Sequence, residues 1–204
     1  MTSEPVDVST WTRLHADKKH PFWWGILCLI VIETTVVFGF LLSFFYLWIV
    51  NLAEGRVGWP PGDAAPPALY PGINTGLLII CSLAMWYGGI AMERDRNWHF
   101  VWTVVVCCVA GGLVAWFRWL QFEALPFAWT DTAYAALVWT LAGFHLMHVT
   151  SAVLGTAVIG WFAAKGFYTE QRRLGVQVDT IYWYFVSAIW VPIYTVLYWI
   201  PRWA

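Results

Sequence analysis

Charge is what this sequence has least of. Only 11% of its 204 residues are Asp, Glu, Lys or Arg, while 60% are apolar. A water-soluble domain carries about 25% charged residues, so a soluble fold is excluded. The formal net charge of -1 leaves no basic surface for nucleic acid. Cysteine is sparse too. Cys28, Cys81, Cys107 and Cys108 all lie inside apolar runs, without a CxxC or a Cys/His cluster at metal-ligand spacing. They are expected to be small apolar core residues, and no metal is expected in this chain. A phosphate loop, a nucleophile elbow and a zinc motif are all missing, which leaves little for an independent enzyme. There is no internal repeat, no low-complexity tract and no second soluble domain.

Long apolar runs and aromatic residues are what the sequence has most of. A membrane-spanning helix needs about 20 mostly apolar residues. Five segments qualify, at about 22–50, 73–93, 98–122, 131–165 and 176–200. The expected fold is all-α: one polytopic five-helix bundle over 22–204, preceded by a polar segment over 1–21. The first apolar run is too long for a signal-peptide h-region and lacks a small-residue cleavage site, so it is read as a retained helix. The 17 Trp and 9 Tyr should concentrate where lipid meets water. The Pro- and Gly-rich stretch "NLAEGRVGWPPGDAAPPALYPGIN" separates spans one and two. "ERDRN" makes a tight turn, Pro126 breaks the chain before span four, and Thr130 or Asp131 can cap that span. With five spans, Arg13, Lys18, Lys19, Arg94, Arg96, Lys165, Arg172 and Arg173 fall on one side, and Arg56 and Arg202 on the other. The positive-inside rule then puts the N-terminus in the cytoplasm and the C-terminus outside. Arg118, near the end of span three, is expected to snorkel outward.

Polar residues inside the spans are the candidates for function, because each is expensive there. Glu33, in "CLIVIETTVVFGF", lies about 16 Å past the start of span one at about 1.5 Å per residue, near the midplane. A carboxyl so placed bonds a neighbouring helix or lies on a proton or ion path. The stretch "AGFHLMHVTSAVLG" carries His145 and His148, three residues apart and so on nearly one face of a helix. His145 should reach the depth of Glu33, and either histidine is a candidate acceptor for it. Haem held between two helices would need a second mid-depth histidine, but His15, His20 and His99 all lie at the inner edge or outside the spans. Gln121 and Glu123, beside Arg118, read as a polar collar at the outer end of span three. Asn74 reads as the N-cap of span two.

In order along the chain, these stretches resemble subunit III of the haem-copper oxidases, the cytochrome c and quinol oxidases. "WWGILCLIVIETTVVFGFLLSFFYLW" is similar to the helix carrying the family's buried acid, with Glu33 at that position. "YPGINTGLLIICS" resembles the Pro-x-x-Asn-Thr helix start, through Pro71, Asn74 and Thr75. "LQFEALPFAWTDTAY" is similar to the Gln-and-Glu segment followed by Pro-Phe. "AGFHLMHV" resembles the Gly-Phe-His-x-x-His signature, and "YWYFVSAIWVPIYTVLYW" the last helix. Two departures stand out: Tyr184 and Ser187 occupy positions where the family has His and Asp, and the Gln121-to-Pro126 spacing is two residues short.

The resemblance implies a five-helix form without the first two of seven helices, in a bacterial-type cytoplasmic membrane. It implies a subunit with no redox centre, packed on a catalytic subunit that holds the haems and copper. Such a subunit supports proton uptake and protects the catalytic subunit during turnover. Phospholipid would fill an inter-helix cleft, with headgroups near Lys18, Lys19 and Arg173. Glu33, His145 and His148 would form a buried polar network, and the whole complex would reduce O₂ to water. Cytochrome c is the expected donor on prevalence. A quinol oxidase and an accessory protein of a nitric oxide reductase stay open. A small transporter using Glu33 is disfavoured by the lack of an inverted repeat.

Overall fold

A computed structural model describes residues 20–55 and 66–203. Five long helices follow one another: α1 (Pro21–Ala53), α2 (Leu69–Glu93), α3 (Asn97–Glu123), α4 (Ala133–Ala164) and α5 (Leu174–Tyr194). A π-helical turn, Thr195–Trp199, leads from α5 into a last short helix, α6 (Ile200–Trp203). There are no strands among the described residues. All five long helices have the length and apolar composition to cross a membrane.

The helix ends follow local chemistry. Pro21 opens α1, where its missing N–H costs nothing, and the His20 ring accepts from the Phe22 N–H at 3.1 Å. Gly55 and Gly166 adopt φ of 66° and 72° just past α1 and α4, the left-handed turn that ends a helix most cheaply with glycine. Asp95 takes φ 55° in the short turn between α2 and α3. The cap of α4 is neither Thr130 nor Asp131. Thr132 holds that place, with extended backbone and its hydroxyl accepting from Ala135 N–H at 3.0 Å, while Asp131 accepts from Ala128 N–H. α2 starts at Leu69, four residues before the expected boundary, because Pro71 is tolerated in a first turn. Asn74 therefore sits inside the helix and is not its cap. Pro192 withdraws one N–H from α5, and the ladder widens just beyond it into the π turn. Arg202 then fastens this end of the chain to the start of α2 through the Pro66 carbonyl at 2.6 Å.

Small residues set how closely the helices approach. A Cβ on Gly88 of α2 would lie 2.8 Å from Thr103 of α3. One on Gly111 of α3 would collide with Val153 of α4 and lie 3.0 Å from Trp183 of α5, and one on Gly160 of α4 would collide with Val104. α3 is thus wedged between α2 and α4, and α5 closes the group with Trp183 and Trp190 fully buried. α1 leans on α4 and α5 through Val37, Leu41 and Phe44 and leaves most of its surface open. Along α3 the open stripe runs Trp98, Trp102, Val105, Val109, Leu113, Trp116, Trp119. Indoles at both ends of an aliphatic band match the two faces of a bilayer.

The cysteines split. Cys81 and Cys107 are buried, and each thiol points at the other's backbone carbonyl, at 3.9 and 3.5 Å. Cys108 is half-buried, and Cys28 faces outward rather than into the core.

Candidate functional site

The histidine pair divides between two clusters. Three residues along a helix leave the two side chains about 60° apart, enough to aim them at different neighbours. Midway along α4, His148 Nε2 lies 3.1 Å from Glu33 Oε2 of α1, and Nδ1 lies 2.7 Å from the Phe144 carbonyl. A carbonyl can only accept, so Nδ1 carries a hydrogen. The contact to Glu33 then holds one proton, shared between carboxyl and imidazole. Phe144 and Phe185 present their edges to the His148 ring at 4.6 and 6.1 Å, and Phe40 meets Phe144 at 5.9 Å. The His148 side chain is 5% exposed and that of Glu33 22%, so the pair is reached from one side. One turn on, Ser151 donates to the His148 carbonyl at 2.9 Å and so must accept from Tyr182 at 2.8 Å.

His145 turns away from Glu33 into the second cluster. Its Nε2 donates to the Val186 carbonyl at 3.1 Å, which leaves Nδ1 to accept from Arg118 Nη2 at 3.4 Å. Arg118 does not snorkel. It is fully buried, donates from Nη1 to Gln121 Oε1 at 2.8 Å and rests 4.2 Å above the Trp190 ring. Cation–π contact and two neutral acceptors replace a carboxylate; none pairs with Arg118 among the described residues. Gln121 donates in turn to the Tyr198 hydroxyl, which the π turn brings inward. Trp190 Nε1 donates to Thr75 Oγ1 at 2.8 Å, joining α5 to α2. The expected collar is split: Gln121 is buried in this cluster, and Glu123 stays exposed with Trp119 Nε1 at 2.8 Å.

Residues 7–203 match the family model described as cytochrome c oxidase subunit III. The chain belongs to this family. It is 28% identical over 194 residues to cytochrome c oxidase subunit 3 of Thermostichus vulcanus, covering 92% of each chain. To that of Synechocystis it is 26% identical over 202 residues, covering 93% of this chain and 82% of the relative. To that of Arabidopsis thaliana it is 24% identical over 178 residues, covering 86% and 67%. Five helices able to cross a membrane and this membership make it a multi-pass subunit III of a haem-copper oxidase, a component of an oxidase complex.

Within the subunit III frame, Ser187 and Tyr184, the two replaced positions of the last helix, have visible surroundings. Ser187 donates to the Leu78 carbonyl at 3.2 Å and accepts from Ser82 at 2.8 Å, so it ties α5 to α2. Tyr184 is partly exposed and lines a cleft of about 380 Å³ with Trp23, Trp86, Glu93, Arg173 and Gln177. Arg173, at the start of α5, pairs with Glu93 at the end of α2 at 3.2 Å. Lys18 and Lys19 lie outside the described residues.

Sequence reasoning passed over Asp179, which lies inside span five. It is buried between α4 and α5, where Thr156 Oγ1 approaches its two oxygens at 3.1 and 2.9 Å. Trp183 Nε1 donates to the same hydroxyl at 2.7 Å. A signal was present: Asp179 and Trp183 are four apart, on one face of α5. In the α4–α5 connection beside it, burial raises the pKa of the Tyr168 hydroxyl, with Asp179 adding to the effect. Among the described residues, no three His, Cys, Asp or Glu side chains gather as a metal site.

Proposed function

We propose that this chain is the non-redox third subunit of a proton-pumping terminal oxidase fed by cytochrome c. It packs on the catalytic subunit, supports proton uptake and prolongs turnover. The N-terminus lies in the cytoplasm and the C-terminus outside, in a bacterial-type cytoplasmic membrane. The relatives named above are cytochrome c oxidase subunits, which supports cytochrome c over quinol. The haems and copper belong to the partner subunits, where O₂ is reduced to water.

The observation that carries the reading is the Glu33–His148 contact. It joins Glu33, one turn before Val37 on the packed stripe of α1, to the His148 ring of α4, and Glu33 is the more exposed partner. Phe144 fixes the imidazole tautomer, so gain or loss of a proton falls on the Glu33 side of the ring. His145 has both ring nitrogens engaged, and its part is to position Arg118. Phospholipid is retained in the cleft of Trp23, Trp86 and Arg173, whose apolar walls and charged rim suit an acyl chain and a headgroup.

The test is the purified complex carrying Glu33→Ala or Glu33→Gln beside wild type. Gln keeps shape and hydrogen bonding, so assembly survives, while Ala loosens the subunit. Both slow proton uptake or shorten turnover lifetime without altering the haem spectrum. Unchanged retention, uptake and lifetime in Glu33→Ala would remove the role assigned to this acid.

A further inference from the structure

Asp179 is a buried carboxyl that the Glu33–His148 site does not use. It lies five residues into α5, about 8 Å along the helix, and is 6% exposed. Its partner on α4, Thr156, is 0% exposed. The titratable groups around Asp179 are the Cys107 and Cys108 thiols of α3 and the Tyr168 hydroxyl of the α4–α5 connection. No Lys, Arg or His pairs with it among the described residues. A carboxylate without a cation or a set of N–H donors is costly inside an apolar bundle.

The hydrogens around Thr156 decide which form of the acid fits. Trp183 Nε1 donates to Thr156 Oγ1 at 2.7 Å. The same oxygen lies 3.1 Å from Asp179 Oδ1 and 2.9 Å from Oδ2, both within hydrogen-bond range. A hydroxyl has one hydrogen and two lone pairs. Trp183 takes one lone pair, which leaves one hydrogen and one lone pair for two carboxyl oxygens. An ionised Asp179 can use only the hydrogen, and its other contact then sets lone pair against lone pair. A neutral Asp179 uses both: one oxygen accepts from Thr156, and the other donates its own hydrogen back. Acid and alcohol then close a ring in which every polar hydrogen is bonded.

We propose that Asp179 is a second intramembrane proton-binding site, a neutral carboxylic acid that clasps α5 to α4 through this ring. Release of the proton removes one of the two bonds and leaves a bare charge between the helices. The clasp is therefore held below the pH at which the acid ionises, and its contribution to stability is lost as pH rises through that point. The site shares no residue with the Glu33–His148 pair. It stands whether or not that pair serves proton uptake, and whichever electron donor the oxidase uses.

Infrared spectroscopy of the assembled complex, in the carbonyl-stretch region of protonated carboxyls, tests it. The spectrum of each variant is subtracted from that of wild type. Asp179→Asn should lose a band that wild type and Glu33→Gln both keep. Thr156→Ser should leave the band in place. Thr156→Val, which takes away both ring bonds, should shift it to higher frequency. In wild type the band should vanish as pH is raised. Thermal stability of the complex should fall over the same range, and fall less in Asp179→Asn. Two results overturn the proposal: Asp179→Asn removes an ionised-carboxylate band in place of a protonated one, or Thr156→Val leaves the protonated band unshifted. If Asp179→Asn fails to assemble, the Thr156 pair decides alone.

Discussion

His148 owes its hold on Glu33 to a carbonyl on its own helix. Because Phe144 takes the Nδ1 hydrogen, the ring can face α1 only through Nε2. Replacing His148 with Gln removes that fixed geometry. With the charge-capable acceptor gone, retention of the subunit should fall as it does for Glu33→Ala, and a double variant should cost no more than either alone. Additive losses would separate the two residues. An apolar carbodiimide partitions into the bilayer, so it should modify Glu33 at mid-depth before the loop carboxylates Glu170 and Asp131; peptide mapping of the treated complex decides. The Asp179 cluster predicts a different asymmetry. Thr156→Val leaves both the Trp183 N–H and the carboxyl unbonded, at roughly 1–3 kcal/mol for each buried orphan. Thr156→Ser keeps the hydroxyl and should be near neutral in thermal unfolding of the complex. The sequence exposed Glu33 and the histidines because no apolar run hides a carboxylate or an imidazole. It could not pair them, since pairing depends on how α4 is rotated against α1.

At the scale of the helices, three glycines decide spacing. Gly111 has no room for a Cβ between Val153 and Trp183, whereas a Cβ on its neighbour Gly112 would meet nothing within 4 Å. Gly111→Ala should therefore lower the stability of the bundle by about 1–3 kcal/mol, the usual cost of overpacking, and Gly112→Ala should leave it unchanged. Equal melting temperatures for the two variants would show that α3 and α4 can move apart freely. The five spans were legible from apolar runs and breaks, but not their ends. Asn74 looked like a cap because Pro71 looked like a barrier. A first-turn proline is no barrier, so the helix began earlier and carried Asn74 inside. Arg118 looked like a snorkelling residue because its position along the chain is near an interface. Its direction around the helix, set by packing of α3 on α2, α4 and α5, sent it to Trp190 and His145 instead.

For the whole molecule, the basic residues argue for one orientation. Single cysteines introduced at Arg94 or Arg172, in a background without the native four, should resist an impermeant reagent applied from outside. One at Arg56 should react. Labelling of the 94–97 turn from outside would reverse the topology. A complex purified through this chain should contain a subunit with haem and copper, and this chain, separated from it, should show no Soret band. By itself the sequence determined that the protein lives in a membrane, that it has five segments able to span it and that a handful of polar residues lie inside those segments. Composition and apolar run length suffice for that, because the bilayer penalises every exception. Only the tertiary structure decided that the two histidines serve separate clusters, that Arg118 is buried against the Trp190 indole, the Gln121 amide and the His145 imidazole, and that Asp179 is buried. These depend on rotation of each helix about its axis, which five almost uniformly apolar helices do not encode in periodicity; close packing at Gly88, Gly111 and Gly160 fixes it.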